Sequence, residues 1–230
     1  MSKTIKKIGV LTSGGDSPGM NAAIRSVVRT CAFHDIECLG IYRGYQGMIE
    51  GDFKEMNARS VNNIINKGGT ILKSARSKEF MTPEGRKKAY DNLVKAGVDS
   101  LVVIGGDGSF TGAEVFNSEY GFPVMGIPGT IDNDIFGTSH TLGYDTALNT
   151  VVDVIDKIRD TASSHNRLFL VEVMGRDAGH IALNAGIGAG AEEILIPEED
   201  LGLDRLLDSL KKSKASGKSS SIVVIAEGDK

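Results

Sequence analysis

The chain has 230 residues, 40% of them hydrophobic, which is enough to bury a substantial core in one large domain or two modest ones. Its formal charge of −4 and pI near 5.6 give no basic excess, so the totals do not indicate nucleic acid or an anionic membrane as a partner. No apolar run approaches the ~18 residues of a membrane span, and no signal-peptide pattern precedes the first predicted strand. We therefore expect a cytoplasmic protein without membrane association, in which Cys31 and Cys38 are reduced thiols.

Strand-like and helix-like segments alternate along the chain. KIGVLT predicts a strand, and the glycine-rich segment after it predicts a helix capped by Asp16 or Ser17. Later strands are predicted at ECLGIY, SLVVIG, PVMGIP, RLFLVEVM and SIVVIAE, and helices at VNNIIN, PEGRKKAYDNLVKAG, GAEVFNSEY, DTALNTVVDVIDKIRDTASSH and DLGLDRLLDSLKKSKASG. The alternation predicts an α/β fold with a largely parallel sheet between helices, where ligands bind beyond the carboxyl ends of the strands.

Two glycine-rich loops follow predicted strands. TSGGDSPGMN places Gly14 and Gly15 before a helix, where backbone N–H groups and the positive helix end can bind phosphate. A tight strand-to-helix turn explains the same residues equally well. In VVIGGDGSF, small neighbours let a polyphosphate approach the backbone while Asp107 offers a carboxylate of the kind that Mg²⁺ prefers. The simpler alternative is that these glycines serve only backbone freedom.

A third loop, PGTIDND, carries two carboxylates two residues apart. In an extended segment Asp132 and Asp134 share a face, so both can reach one site. One acid can accept a proton from an attacking hydroxyl while the other orients groups near a metal. An Asx-rich turn is the alternative, and three acidic, glycine-bearing loops at successive strand ends make it the poorer explanation.

Five motifs, TSGGDSPGMNAAIR, GGTILKSAR, VVIGGDGS, PGTIDND and VEVMGRDAGH, occur in the order found in 6-phosphofructokinases, and the chain resembles the bacterial ATP-dependent type of that family. The resemblance implies two doubly wound three-layer α/β/α domains, residues 1–142 binding ATP and Mg²⁺ and residues 143–230 binding the sugar phosphate. Family members continue beyond the position that matches Lys230. We therefore expect the second domain to be incomplete and the 230-residue chain to turn over little alone.

The implied reaction is transfer of the γ-phosphoryl group of ATP to the 1-hydroxyl of fructose 6-phosphate, a step of glycolysis, by an allosterically regulated homotetramer. By resemblance, Asp132 is the base, Thr130 and Asp134 position the reactants, Gly15 offers its N–H to the transferring phosphate, and Arg176 compensates charge. Asp107 is the implied metal ligand. The implied nucleotide contacts are Gly15, Tyr45, Arg76, Ser77, Gly106, Asp107, Gly108, Ser109 and Gly112. The implied substrate contacts are Thr130, Ile131, Asp132, Arg167, Met174, Gly175, Arg176 and Glu227, with Arg167 offered by a neighbouring subunit unless it is merely a surface cation.

The resemblance also implies a second site for ADP or phosphoenolpyruvate as effector. Its matching residues are Arg25, Arg29, Arg59, Arg159, Glu192 and Lys218. For each residue alone, a solvated charged face is a serious alternative. Two positions depart from the family pattern: Ala58 stands where relatives carry an effector arginine, with Arg59 beside it, and Met81 stands where relatives often carry a cation near the nucleotide phosphates.

Three other functions compete with this interpretation. Lipid and NAD kinases also use a GGDG-type loop, but PGTIDND and MGRDAGH argue against them. A Rossmann dinucleotide domain is suggested weakly by GIGAGA, which follows a helix-like segment instead of a strand. A noncatalytic subunit would bind the ligands without turnover. Within the family, Gly108 and Gly129 stand where pyrophosphate-using relatives carry aspartate and lysine, which predicts ATP as the donor.

Overall fold

The computed structural model describes residues 5–199 and 202–229. These residues form two compact α/β units whose strands are almost all parallel, so the fold class predicted from the sequence is confirmed. No helix in the described part of the chain combines the length and apolar character that crossing a membrane requires.

The units divide the chain close to the predicted catalytic loop. The first unit contains the described residues up to Thr130 together with Ile135–Gly143. The second contains Ile131–Asp134 together with the described residues from Tyr144 onward. Within the second unit, the Ile131 side chain packs against the hydrophobic core.

The first unit is built around a six-stranded sheet. Its strands are β1 (Lys7–Ser13), β2 (Glu37–Ile41), β3 (Phe53–Met56), β4 (Ser100–Gly105), β5 (Val124–Thr130) and β6 (Leu142–Gly143). Their order is β3-β2-β1-β4-β5-β6, and β3, which pairs with β2, is the antiparallel member. The strand order reverses between β1 and β4, which is where α/β sheets open a ligand-binding crevice.

Helices cover both faces of this sheet. They are α1 (Met20–Phe33), α2 (Gly44–Glu50), α3 (Pro83–Lys95) and α4 (Asp107–Tyr120), with a 3₁₀ helix at Glu79–Met81. Neighbouring residues of β1 point to opposite faces: Leu11 packs with α2, α3 and α4, whereas Val10 packs with α1. Both side chains are fully buried, and the two apolar clusters give the three layers α/β/α.

Two local predictions in this unit are wrong. VNNIIN forms turns instead of a helix, with Asn63 in the left-handed region (φ 54°), and it buries only Val61 and Ile64. Neither Asp16 nor Ser17 caps α1, whose N-cap is Gly19 at φ 90°. Ser17 instead donates its hydroxyl to the Leu142 carbonyl oxygen at 3.0 Å, a partner far away in sequence.

The second unit has a three-stranded parallel sheet. Its strands are β7 (Leu168–Val173), β8 (Glu193–Leu195) and β9 (Ser221–Ala226). Its helices are α5 (Tyr144–His165), α6 (His180–Gly188) and α7 (Gly202–Ala215). The strand order is β7-β9-β8, and α5 and α6 pack their apolar residues against β9. The GIGAGA segment forms the end of α6 and the turn after it, so it lacks the strand-to-helix geometry of a dinucleotide loop.

Candidate active site

Two of the predicted phosphate loops lie side by side in the first unit. Ser13, the last residue of β1, pairs with Gly105, the last residue of β4, so both loops leave the same edge of the sheet. A side chain on Gly105 would come within 2.5 Å of the Ser13 carbonyl oxygen, so glycine there is a packing requirement. By contrast, a Cβ built on Gly15 or Gly108 would meet nothing within 4 Å. Open space therefore faces the backbone at the two positions predicted to approach phosphate.

The start of α4 carries the predicted metal ligand. Asp107 is the first residue of this 14-residue helix and is exposed. The first N–H groups of a helix lack partners within the helix and mark its positive end, which favours phosphate. Gly106 lies next to the third loop, since a Cβ built on it would be 3.7 Å from Thr130 Cβ.

Aromatic residues pack against the first turn of α4. Tyr45 donates its hydroxyl to the Ser109 carbonyl oxygen and stacks on Phe80 with ring centroids 4.0 Å apart. Gly112 faces the same rings, since a Cβ there would be 3.3 Å from Tyr45. Burial raises the pKa of the Tyr45 hydroxyl, so this donor stays protonated. The Tyr45 side chain thus contacts protein on several sides, and its predicted nucleotide contact remains a prediction.

A coil between the VNNIIN turns and the 3₁₀ helix carries Arg76 and Ser77. Ser77 donates to Gln46 Oε1 at 2.8 Å and accepts from the Phe80 N–H at 3.2 Å. Arg76 is exposed, and Met81, in the 3₁₀ helix, has 79% of its surface exposed. The apolar Met81 side chain supplies no cation at this position.

The third loop differs from the extended segment that was predicted. β5 ends at Thr130, whose carbonyl oxygen accepts from Thr141 Oγ1 at 2.7 Å. Asn133 has φ 54°, a left-handed conformation that breaks the alternation of an extended chain. The argument that Asp132 and Asp134 share a strand face is therefore wrong, although their predicted roles do not depend on it. Asp132 is half-buried, whereas Asp134 is exposed.

In the second unit, Glu227 holds the turn that carries the predicted sugar contacts. Its Oε1 atom accepts from the N–H of Gly175 at 3.1 Å and from the N–H of Arg176 at 2.6 Å. Arg176 has φ 57° and is exposed, as is Met174, two residues before it. Arg167 is an exposed residue directly before β7.

The predicted effector residues of the first unit lie on or near α1. Arg25 and Arg29 line an open cavity of about 560 Å³ together with Phe33, His34 and Ile65. Arg25 also donates to the Val61 carbonyl oxygen at 2.6 Å. Arg59 is exposed in the turns that follow β3. These contacts bring two of the three effector residues of this unit to one cavity.

The effector residues of the second unit form one cluster. The buried Glu192 carboxylate lies 3.3 Å from Lys218 Nζ and 3.9 Å from Arg159 Nη1. Arg159 also donates to the carbonyl oxygens of Ala189 and Gly190, at 2.6 and 2.8 Å. The three side chains therefore form one ion-paired cluster, in which the Lys218 side chain is 55% exposed.

The described residues contain no group of three or more histidine, cysteine, aspartate or glutamate side chains that could enclose a metal ion. A single carboxylate such as Asp107 fits Mg²⁺, because this ion is usually held by one or two carboxylates, waters and substrate phosphates. The residue types around Asp107 thus suit a metal that arrives with a nucleotide.

Sequence reasoning missed two residues beside the phosphate loops. Thr12 and Asn21 occur in the first motif and are fully buried, yet neither was assigned a role. Their side chains bond to the coil that carries Arg76. A polar residue within an apolar strand was the signal at Thr12, because buried polar groups are hydrogen-bonded.

Comparison with known proteins gives consistent matches. Residues 7–230 match the family model described as Phosphofructokinase. The chain is 58% identical to ATP-dependent 6-phosphofructokinase 2 of Bacteroides thetaiotaomicron, over 98% of this chain and 69% of that protein. It is also 58% identical to ATP-dependent 6-phosphofructokinase of Bacillus subtilis, over 97% of this chain and 70% of that protein. The solved phosphofructokinase of Saccharomyces cerevisiae matches with a TM-score of 0.93 and 41% identity, over 97% of this chain and 34% of that one.

Proposed function

Because the chain belongs to the phosphofructokinase family, we propose that it transfers the γ-phosphoryl group of ATP to the 1-hydroxyl of fructose 6-phosphate, giving fructose 1,6-bisphosphate and ADP. The family and the enzyme class expected from the motifs, a kinase, are confirmed. The observation that carries the proposed reaction is the pair of loops at the adjacent ends of β1 and β4, where Gly15 and Gly108 face open space.

The first unit would bind the nucleotide. Gly15 would offer its N–H to the transferring phosphate, and the start of α4 would add N–H groups and a positive helix end. Arg76 would supply a cation to the phosphates. Asp107 would hold Mg²⁺, which when bound neutralises charge on the phosphate oxygens.

Asp132 would act as the base. Its carboxylate would accept the proton of the sugar 1-hydroxyl as the hydroxyl oxygen attacks the γ-phosphorus and the bond to ADP breaks. Thr130 and Asp134 would position the reactants, and Arg176 would compensate the negative charge of the transition state. Catalysis of this kind depends mainly on positioning and electrostatics.

Fructose 6-phosphate would contact Met174, Gly175 and Glu227. The second Glu227 oxygen, Oε2, is the one available for a sugar hydroxyl, since Oε1 already accepts two backbone N–H groups. Arg167 would serve the sugar phosphate of a neighbouring subunit in a homotetramer. The clusters around Arg29 and around Glu192 would bind ADP or phosphoenolpyruvate as effectors, and the protein would work in the cytoplasm.

ATP is proposed as the donor over pyrophosphate because glycine stands at both positions, 108 and 129, where pyrophosphate-using relatives carry a charged side chain. A Cβ on Gly129 would lie 3.2 Å from Ile104 Cγ2 and 3.4 Å from Met20 Cε, so a lysine there would crowd the core. Gly108 leaves space that a carboxylate would fill with like charge beside a nucleotide phosphate.

A coupled assay tests the function on the full-length protein. Fructose 6-phosphate with Mg²⁺ and ATP should give fructose 1,6-bisphosphate and ADP in equal amounts, whereas pyrophosphate should be a poor donor. Calorimetry with Mg²⁺ and ADP measures nucleotide binding separately. Nucleotide binding without any turnover of fructose 6-phosphate would favour a noncatalytic subunit and refute the proposal.

A further inference from the structure

The coil of residues 67–76 has no regular secondary structure, yet it bears Arg76, the cation proposed for the nucleotide phosphates. Two of its residues, Gly69 (φ 67°) and Lys73 (φ 58°), are left-handed. A non-glycine residue such as Lys73 adopts this conformation at an energetic cost, which the surrounding contacts must offset.

Thr12, in β1, contacts the coil at the left-handed residue Lys73. Its hydroxyl donates to the Lys73 carbonyl oxygen at 2.8 Å and lies 2.9 Å from Thr70 Oγ1. The Thr12 residue has no exposed surface, so these bonds are shielded from water on the side of the strand. One side chain of the sheet therefore holds two positions of the coil.

Asn21, in the first turn of α1, holds the beginning of the coil. Its amide donates to the carbonyl oxygens of Lys67 and Gly68, at 3.0 and 3.4 Å, and its Oδ1 accepts from the Ile71 N–H at 2.8 Å. Asn21 is only 1% exposed. Ser74 adds a direct link to the phosphate loop, because its hydroxyl donates to the Gly14 carbonyl oxygen.

We propose that Thr12 and Asn21 are positioning residues for nucleotide binding, which set the path of the coil so that Arg76 meets the phosphates held by the Gly14–Gly15 loop. The inference rests on the proposed function. Neither residue touches the substrate: each acts through the backbone of the coil. Loss of either contact should therefore weaken nucleotide affinity more than it weakens sugar affinity.

Two matched substitutions at position 12 distinguish the effect of the hydroxyl on nucleotide binding from the effect of side-chain packing. Thr12→Val keeps the shape and the branched Cβ but removes the donor to the Lys73 carbonyl oxygen, whereas Thr12→Ser keeps the hydroxyl. We expect Thr12→Val to weaken binding of Mg²⁺ and ADP by up to about tenfold in calorimetry, because binding must then also order the coil; the free energy of one hydrogen bond sets this upper limit. Thr12→Ser should bind like the wild type. In turnover assays, the KM for ATP should rise in Thr12→Val while the KM for fructose 6-phosphate does not.

A second pair of variants gives an independent result if the valine variant does not fold. Asn21→Ala should weaken nucleotide binding, and hydrogen exchange at the Ile71 amide should become faster. Asn92→Ala is the control, because Asn92 likewise donates to two backbone carbonyl oxygens, of Met48 and Ile49, away from the coil. It should leave nucleotide affinity unchanged in the folded protein.

The outcomes distinguish this inference from the proposed function. Equal nucleotide affinity in the Val and Ser variants, or equal losses in Asn21→Ala and Asn92→Ala, would overturn the positioning role. A wild-type protein that binds ADP but never phosphorylates fructose 6-phosphate would refute the proposed reaction. Selective losses in Thr12→Val and Asn21→Ala would still support positioning of the coil in such a protein.

Discussion

Replacing Arg86 with methionine should lower the free energy of unfolding of the first unit by about 2 to 3 kcal/mol. Arg86, in α3, is 8% exposed. Its Nη1 donates to the carbonyl oxygens of Phe80 and Met81, at 3.1 and 2.9 Å, at the end of the 3₁₀ helix. Its Nε and Nη2 atoms make a two-point contact with the Glu119 carboxylate, at 2.7 and 2.5 Å.

The expected loss in the free energy of unfolding comes mainly from the carbonyl oxygens of Phe80 and Met81. Methionine retains the apolar stem of Arg86 but removes every donor, and each carbonyl oxygen left without its donor costs about 1 to 1.5 kcal/mol. The contact with Glu119 adds a smaller amount, because about a third of its side chain is exposed and water solvates the carboxylate once the arginine is gone.

Urea unfolding followed by tyrosine fluorescence measures this change, since the chain has no tryptophan and Tyr90 and Tyr120 stack 4.5 Å apart in the same unit. Lys87→Met is the control. It removes a surface pair with Asp91 whose members are both more than half exposed, so no measurable change is expected. An Arg86→Met variant as stable as Lys87→Met would refute the reasoning.

The difference between the wild type and Arg86→Met should also depend on pH. Hydrogen bonding to Arg86 lowers the pKa of the Glu119 carboxyl in the folded protein. A lowered folded-state pKa stabilises the protein above the ordinary glutamate pKa, and that contribution disappears as the pH falls through the folded-state value. The two unfolding free energies should therefore converge partly in acid, while the part due to the two carbonyl oxygens remains.

Three further predictions concern chemistry and reactivity. Asp132→Asn should lower kcat by ~10²–10⁴-fold because the amide cannot accept the hydroxyl proton, while calorimetry shows nearly normal nucleotide binding; near-normal turnover would remove Asp132 from its role as base. Gly108→Asp should lower kcat/KM for ATP, because the new carboxylate repels the nucleotide phosphates. The wild type is assayed with ATP and with pyrophosphate for comparison. Unimpaired use of ATP by the variant, or a wild-type preference for pyrophosphate, would contradict the donor argument. Burial raises the pKa of the Cys31 thiol, and it raises the pKa of the Cys38 thiol to about 12, so a thiol reagent at pH 8 should label the two cysteines only after unfolding. Rapid labelling of the native protein would show that solvent reaches the thiols.

The order of strands and helices could be predicted where hydrophobic periodicity was strong. The 22-residue helix α5 and the buried strands β1 and β4 are examples. The short elements were missed: α2 contains two glycines and begins after the left-handed Arg43, and β3 has exposed polar residues at its centre. Such segments are held by contacts distant in sequence, which local patterns do not reveal.

The candidate site was predictable as a set of loops but not in its local geometry. The glycines of the first two loops indicated where a backbone faces open space, as Gly15 and Gly108 do. The left-handed Asn133 between the two acids was not foreseeable, because asparagine enters that region only in particular turns. The roles of Thr12 and Asn21 depend on partners 46 to 61 residues away, which a reading of short motifs does not include.

The central position of β1 has a consequence for synthesis of the chain on the ribosome. The Lys7 N–H donates to the Asp99 carboxylate, 92 residues later in the chain. Asp99 directly precedes β4, which pairs with β1. At ~5–20 residues per second, ~5–20 s pass before β4 emerges, and until then β1 can pair only with β2 and leaves an apolar edge open. Unprotected edges of this kind recruit other strands, so nascent chains stalled before residue 100 should bind chaperones and aggregate more readily than chains that have passed β5.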